Sequence, residues 1–285
     1  MSHGAPIRLG GSAAAGLAST RRDHWYLVTD PPLGVPCASM ARHYNHAPIA
    51  EAVIDLRVDW PANAPAKALD DIAASLKQQF PSANPIHSIS VGLTKLPGAA
   101  AHVETGEEIL GVRLESEAKD RVLQIQKAGF TYSHLPPYTD WESFRSEARP
   151  LWDAYSAGSG ATSVIRAAVR VINKLPVAGT FADLGRYSNL ALAIPSEMGL
   201  SPSTFFAQVQ TSADALIEGC RVIINTGMAS LPEDRLELLL DFDIYVEGRW
   251  DASASDLWVL LDKLSGLKDR VFEACITNTT RGLIE

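Results

Sequence analysis

The segment from Arg235 to Glu247, RLELLLDFDIYVE, constrains the fold more than any other stretch of the chain. Its residues alternate between two sides of a strand. The apolar side carries Leu238, Leu240, Phe242, Ile244 and Val246. The other side carries Glu237, Leu239, Asp241, Asp243, Tyr245 and Glu247. A period of two sustained over this length is typical of a long strand with one face on a core. We expect its acidic face either to hold a metal ion or simply to face water.

Composition limits the classes of protein that this chain can belong to. It has 285 residues, of which 46% are hydrophobic, so it can bury the core of one large domain or two modest ones. The net charge of −8 argues against a nucleic-acid partner, because proteins that bind the phosphate backbone are basic. No apolar run reaches the ~18 residues that a membrane helix needs, so we expect no contact with a membrane.

The three cysteines, Cys37, Cys220 and Cys275, are far apart and show no CxxC spacing. This pattern predicts buried thiols in a reducing cytoplasm and indicates neither a disulfide framework nor a zinc site.

Three segments are predicted from changes along the chain. Residues 1–39 are rich in Gly, Ala, Ser and Pro without periodicity, and we expect a disordered tail or an extension that precedes a natural start at Met40. The GSGAT segment at residues 158–162 is the best internal boundary. It separates an N-terminal half, residues 40–157, from a C-terminal half, residues 163–285.

The N-terminal half is predicted to contain four strands and two helices. The strands cover Ile49–Trp60, His87–Leu96, Ile109–Ala118 and Arg121–Leu135. Apolar residues at helical spacing predict a helix over Leu69–Phe80 and a second, aromatic-rich helix over Trp141–Tyr155. Thr139 and Glu142 have the spacing of a capping box for that second helix.

The C-terminal half repeats this order. Strands are predicted at Ser163–Leu175, Leu190–Pro195, Phe205–Ala213, Gly219–Gly227 and Arg235–Glu247, with a short helix at Phe181–Tyr187 and a long one at Asp256–Ile276. Meandering strands with separate helices predict an α+β fold with an antiparallel sheet. Each half opens on a strand and ends on a long helix, so we expect two related halves, although their sequences are too different to show a repeat.

Charged residues recur on the polar sides of these predicted strands. The basic ones that could bind a charged ligand are Arg113, Arg166, Arg170 and Lys174. If the strands share one sheet, charges of both signs can satisfy each other by cross-strand pairing. The alternative is a concave site that uses them for a charged ligand.

A metal site is the second interpretation of the same face. Glu115 to Lys119 has the ExExK pattern and resembles the signature of triphosphate-tunnel enzymes, but it follows a long ordered region instead of opening the domain. In this alternative Mg²⁺ or Mn²⁺ is held by Glu115, Glu117, Glu237, Asp241 and Asp243. Asp241 and Asp243 also form a DxD pattern, which nucleotide-sugar transferases carry in a loop and not in a strand.

Other catalytic signatures do not occur in the sequence. His43 and His46 form an HxxH pair near the start, but no histidine follows His134, so three or four converging ligands are not expected. The chain contains no GxSxG, GxxxxGK[ST], GxGxxG or HExxH. These absences lower the expectation of an enzyme.

Several segments together resemble a sporadically distributed family of uncharacterised bacterial proteins of similar size. They are APIAEAVIDLRV, RVLQIQKAGFTYSHLPPYTDWESF, VRVINKL, LLLDFDI and LKDRVFEACIT. The resemblance covers the chain from Met40 onward. It implies a cytoplasmic α+β protein, encoded by an accessory gene of the kind carried with mobile or defence loci, and it supplies no catalytic residues.

Two functional hypotheses follow from the sequence. The first is a non-enzymatic binding protein without a cofactor, whose partner is another protein or a small charged ligand that meets the charged sheet face or the groove between the halves. The second is a metal-dependent enzyme of phosphate chemistry that uses the charged face. The sequence predicts no particular oligomeric state.

Overall fold

The fold is built on nine antiparallel strands with four α-helices, as far as the described residues show. The computed structural model describes residues 42–65, 67–94, 102–190, 192, 194–199, 202–231 and 235–285, with the backbone alone at 89–94, 102–105, 107, 196 and 230. The predicted tail, residues 1–39, lies outside the described residues.

The strands are β1 (Ile49–Val58), β2 (Ser82–Thr94), β3 (His102–Glu115), β4 (Arg121–Gln126), β5 (Gly129–His134), β6 (Ser163–Ala178), β7 (Thr204–Ser212), β8 (Cys220–Leu231) and β9 (Arg235–Asp251). The helices are α1 (Ala68–Ser75), α2 (Trp141–Ser159), α3 (Ser255–Cys275) and α4 (Asn278–Ile284). Short 3₁₀ helices span Phe181–Arg186 and Ser196–Met198.

All nine strands form one sheet in the order β2-β3-β4-β5-β1-β6-β9-β8-β7. The first strand of each predicted half therefore pairs with the last strand of the same half, and β1 pairs with β6 at the junction. This confirms the predicted α+β class and its antiparallel sheet. The N-terminal half has one strand more than the C-terminal half, and the relation of the halves by duplication stays a prediction.

Two strand predictions were wrong. Arg121–Leu135 is a hairpin of β4 and β5, because the chain turns at Lys127 and Ala128. At the next residue, Gly129, φ is +153° and a Cβ atom would lie 2.2 Å from the Leu56 carbonyl oxygen, so only glycine fits beside β1. The strand predicted at Leu190–Pro195 is absent from its described residues, Leu190, Leu192, Ile194 and Pro195.

Helix α2 begins one residue later than the predicted capping box implies. Asp140, and not Thr139, is the N-cap, since its carboxylate accepts a hydrogen bond of 2.7 Å from the Ser143 backbone N–H. The helix then continues through Pro150 to Ser159. At its far end the Trp152 indole donates to the Ala252 carbonyl oxygen at 2.9 Å, so this helix of the first half is bonded to the second half.

The core lies on one face of the sheet, beneath the helices. One cluster packs α1, α2 and the first part of α3 against the middle strands, with Trp152, Tyr155 and Phe130 at its centre. A second cluster packs the end of α3 and α4 against β6 and β9 around Phe242. Among the described helices, none combines enough length and apolar character to cross a membrane.

Two of the three cysteines are buried free thiols, as predicted. Burial raises the pKa of both Cys220 and Cys275 to about 11, so these thiols are protonated at neutral pH. Cys37 lies outside the described residues.

A substitution at Phe242 tests whether the apolar face of β9 belongs to the core, because this side chain is fully buried in the second cluster. We expect Phe242→Ala to lower the free energy of unfolding by about 3–5 kcal/mol, through lost burial and the cavity left behind. Urea denaturation of the purified variant measures the change.

The matched control is Val259→Ala, since Val259 is an exposed apolar residue on α3. It should change stability by no more than about 0.5 kcal/mol. Equal losses in the two variants would contradict the assignment of Phe242 to the core.

Candidate functional site

The face of the sheet opposite the helices, here called the open face, carries most of the charged residues predicted from the sequence. Alternation along β1, β6 and β9 places Asp55, Arg166, Arg170, Asp241 and Asp243 on it. The strand register sets Arg170 directly opposite Asp243 and Asp55 opposite Ala168. These charges therefore lie close enough for cross-strand pairing.

Arg166 connects three strands on this face. Its guanidinium donates to Asp55 on β1 and to Asp243 on β9, each at 2.8 Å. The same group lies 4.3 Å from the centre of the Tyr245 ring, a distance suited to a cation–π contact. Thr131 on β5 also donates to Asp55, at 2.8 Å. Burial raises the pKa of the Asp243 carboxyl above its usual value, which Arg166 and Arg170 partly oppose.

Arg170 starts a second chain of contacts that runs to the edge of the sheet. It binds Asp241 through two hydrogen bonds, of 2.8 and 2.7 Å. Asn225 on β8 donates to the same carboxylate at 2.9 Å, and Gln208 on β7 donates to Asn225 at 2.7 Å. The central charges of the open face thus satisfy one another, which was one of the two alternatives predicted from the sequence.

The four predicted ligand-binding cations are not brought together. Arg166, Arg170 and Lys174 share β6, but Arg113 lies on β3, four strands away at roughly 19 Å, and pairs with Glu115 at 2.9 Å. Lys174 lies 3.5 Å from Glu237 and is half exposed.

The five predicted metal ligands are also separated. Glu237, Asp241 and Asp243 lie on β9, whereas Glu115 ends β3, five strands away at roughly 24 Å. Glu117 follows in the turn after β3. In the part of the chain that the structure describes, no three His, Cys, Asp or Glu side chains are grouped as metal ligands. The predicted ligand set therefore cannot surround one ion.

A groove on the opposite side of the sheet is the more promising site. Residues of both predicted halves line it, and its volume is about 640 Å³. Its walls are the segment from Arg42 to Ile49, the loop from Pro136 to Trp141, and the end of α3, while Val171 and Asn173 of β6 form part of its lining. The size is that of a site for a small molecule, roughly 300–1,000 Å³.

The acidic side chains of the groove already have partners. Glu273 accepts hydrogen bonds from Tyr44 at 2.5 Å and from Arg281 at 2.9 Å. Burial raises the pKa of Tyr44 to about 12, and the hydrogen bond to Glu273 is the second cause of this rise. Asp140 caps α2, as described above, and Asp269 pairs with Lys268 at 2.8 Å.

Lys268 is the exceptional residue of the groove. It is a lysine with only 8% of its surface exposed, and its one ion-pair partner among the described residues is the neighbouring Asp269. An ammonium group has three donors, so this partner leaves donor capacity unused. Close by, burial and the charge of Asp269 raise the pKa of the Tyr138 hydroxyl above its usual range.

The aromatic part of the groove is formed by Tyr138, Trp141 and Phe272. The Trp141 indole donates to Asp262 of α3 at 2.8 Å, which fixes the ring across the junction of the halves. His43 and His46, the predicted HxxH pair, are exposed residues that line the groove.

The sequence contained one signal for this site. Lys268 falls in helical register with Leu257, Leu261 and Leu264, all of which are buried on α3. A lysine on the buried stripe of an amphipathic helix is unusual, because burying a charge is costly unless it is paired. Of the other groove residues, His43 and His46 belong to the HxxH pattern, which was not expected to form a site.

No protein-family model matches this chain, and no curated protein matches it. The resemblance described from the sequence therefore stays a prediction.

The ion pairs of the open face should contribute to the free energy of unfolding, and two substitutions on β6 test this. Arg170→Met removes both hydrogen bonds to Asp241, whose carboxylate is nearly buried, and should cost about 2–3 kcal/mol because an uncompensated charge remains. Lys174→Met, on the same strand and face, removes only an exposed and loose pair and should cost less than about 1 kcal/mol.

Urea denaturation of the two variants beside the wild type measures both losses. A loss of stability in Arg170→Met as small as that in Lys174→Met would show that the open face does not depend on this pairing.

Proposed function

We propose that the chain is a non-enzymatic binding protein whose ligand is a small anionic molecule with an apolar ring or chain, held in the groove between the two halves. The observation that carries this proposal is that Lys268, a lysine with only 8% of its surface exposed, lines a groove of about 640 Å³. A charged ligand was one of the partners expected from the sequence.

The sign of the ligand's charge follows from which charged groups of the groove can still accept a partner. Asp140, Asp269 and Glu273 are engaged within the protein, and Arg42 at the rim pairs with Glu285. Lys268 has a single ion-pair partner among the described residues and therefore has donors to spare, so a carboxylate, sulfonate or phosphate is the group that it would bind.

The apolar part of the ligand follows from the remaining lining. Tyr138, Trp141 and Phe272 contribute aromatic surface, and Val171 adds an aliphatic surface. Binding sites of this size are mostly apolar with a few fixed polar groups, which give orientation and specificity. Lys268 supplies the fixed group here.

The alternative of a metal-dependent phosphate enzyme has less support. It requires the carboxylates of β3 and β9 to meet at one ion, and they are five strands apart. It also requires Arg166 and Arg170 to bind phosphate, although both are held by Asp55, Asp241 and Asp243.

A pair of fluorescent probes tests the proposal. Anilinonaphthalenesulfonate and N-phenyl-1-naphthylamine share one ring system, and only the first carries an anionic group. We expect saturable binding of both, with the sulfonate bound more tightly by about tenfold to a hundredfold, the value of a hydrogen bond to a charged group. Fluorescence titration gives the two dissociation constants.

Lys268→Met keeps the length of the side chain and removes the charge. It should abolish the preference for the sulfonate and leave the neutral probe bound as before. The matched control is Lys263→Met, on the exposed side of the same helix, which should change neither constant. Unchanged thermal melting of each variant excludes loosened folding, which also increases binding of the sulfonate dye.

A sulfonate preference that survives in Lys268→Met would contradict the proposed site. Absence of saturable binding by either probe would contradict a small-molecule groove.

A further inference from the structure

The two edges of the sheet differ in how well they are protected. The β2 edge carries Pro85, which cannot donate to a further strand. The β7 edge reads TFFAQVQTS, nine residues without a charge, a proline or a glycine. Edge strands normally carry such features because unpaired backbone groups attract other strands. The β7 edge lacks all of them.

Among the described residues β8 is the strand that pairs with β7, and the register shows which backbone groups of β7 do not face it. The Ala213 N–H donates to the Cys220 carbonyl oxygen at 2.9 Å, so this pair faces β8. In an antiparallel ladder such pairs alternate, and the groups of Phe205, Ala207, Val209 and Thr211 therefore also face β8. The N–H and C=O groups of the intervening residues point outward, namely those of Thr204, Phe206, Gln208, Gln210 and Ser212.

Side chains along this edge are exposed and partly apolar. Phe206 has 65% of its surface exposed and Val209 has 53%, the first on the open face and the second on the other face. Exposed apolar residues on both faces of an unprotected edge are typical of a strand that pairs with another.

We propose that β7 pairs antiparallel with β7 of a second copy of this chain, with Gln208 on the two-fold axis. A second copy suits this edge because neither β7 strand carries a charged residue that would repel its equivalent, and the amides and hydroxyls of the two strands can both donate and accept. The strands also match in length when they are centred on Gln208.

The two-fold register assigns each contact. Phe206 lies opposite Gln210 of the second copy, and Thr204 lies opposite Ser212, all as hydrogen-bonded pairs with two bonds each. The full overlap therefore makes about ten backbone hydrogen bonds. Val209 lies beside Ala207 of the second copy on the other face, so both exposed apolar residues are covered. A contact made mainly by one strand predicts a reversible dimer that forms with rising concentration.

Charge exchange at the axis tests this arrangement. Gln208→Lys places two lysines directly opposite each other, and Gln208→Glu does the same with two glutamates, so each variant alone should be monomeric. An equimolar mixture of the two variants should restore the dimer, because opposite charges then meet. Sedimentation velocity from micromolar to millimolar protein measures the association of each sample.

Two controls keep the test specific. Asn84→Lys adds the same charge to the exposed β2 edge and should leave the wild-type dimer intact. Thermal melting checks that both Gln208 variants stay folded after losing the contact to Asn225.

Wild-type protein that remains monomeric at millimolar concentration would overturn the proposal. A dimer that persists in both Gln208 variants, or variants that stay monomeric when mixed, would overturn the two-fold register. Neither result would affect the groove, whose test uses probe binding.

Discussion

The helices pack on one face of the nine-stranded sheet, and none of the described helices covers the other face. The charged groups on that face that are partly buried must be paired, because burying an unpaired charge is costly. Arg166 and Arg170 meet this requirement, since each holds carboxylates across a strand boundary. The ion pairs join β6 to both of its neighbours, β1 and β9. Of the two arginines, Arg166 crosses the junction of the halves through Asp55 on β1, whereas Arg170 links β6 to Asp241 on β9.

The ion pairs show which charged residues stabilise the fold and which one, Lys268, remains available to a ligand. Asp241 and Asp243 first suggest metal ligands, but their oxygens are bound by arginine and asparagine from neighbouring strands. Lys268 lies on the face of the sheet that the helices cover. There the loop from Pro136 to Trp141 and the segment from Arg42 to Ile49 form a groove next to β6. A charge that serves the fold has partners on several elements, whereas Lys268 has one adjacent partner.

The sequence predicted local structure far better than it predicted which strands meet. Alternation placed β1, β6 and β9 well, because a strand with one buried face carries its own period. The hairpin at Gly129 was missed because the turn is too short to interrupt the apolar pattern, and the reason for the glycine is a contact with β1, over 70 residues earlier. The groove between the halves was one of the two places predicted for a ligand, but its lining residues were missed, because they come from three separate segments and only Lys268 breaks a local rule.

Side-chain amide signals in NMR spectra distinguish directly between a ligand that binds in the groove, as proposed, and one that binds on the open face. Asn173 lines the groove, and Asn225 belongs to the ion-pair network of the open face. On titration with anilinonaphthalenesulfonate, we expect shifts of the Asn173 amide and the Trp141 indole N–H, with the Asn225 amide unchanged. Shifts of Asn225 and of the Arg166 and Arg170 Nε–H groups, with Asn173 and Trp141 unchanged, would contradict binding in the groove.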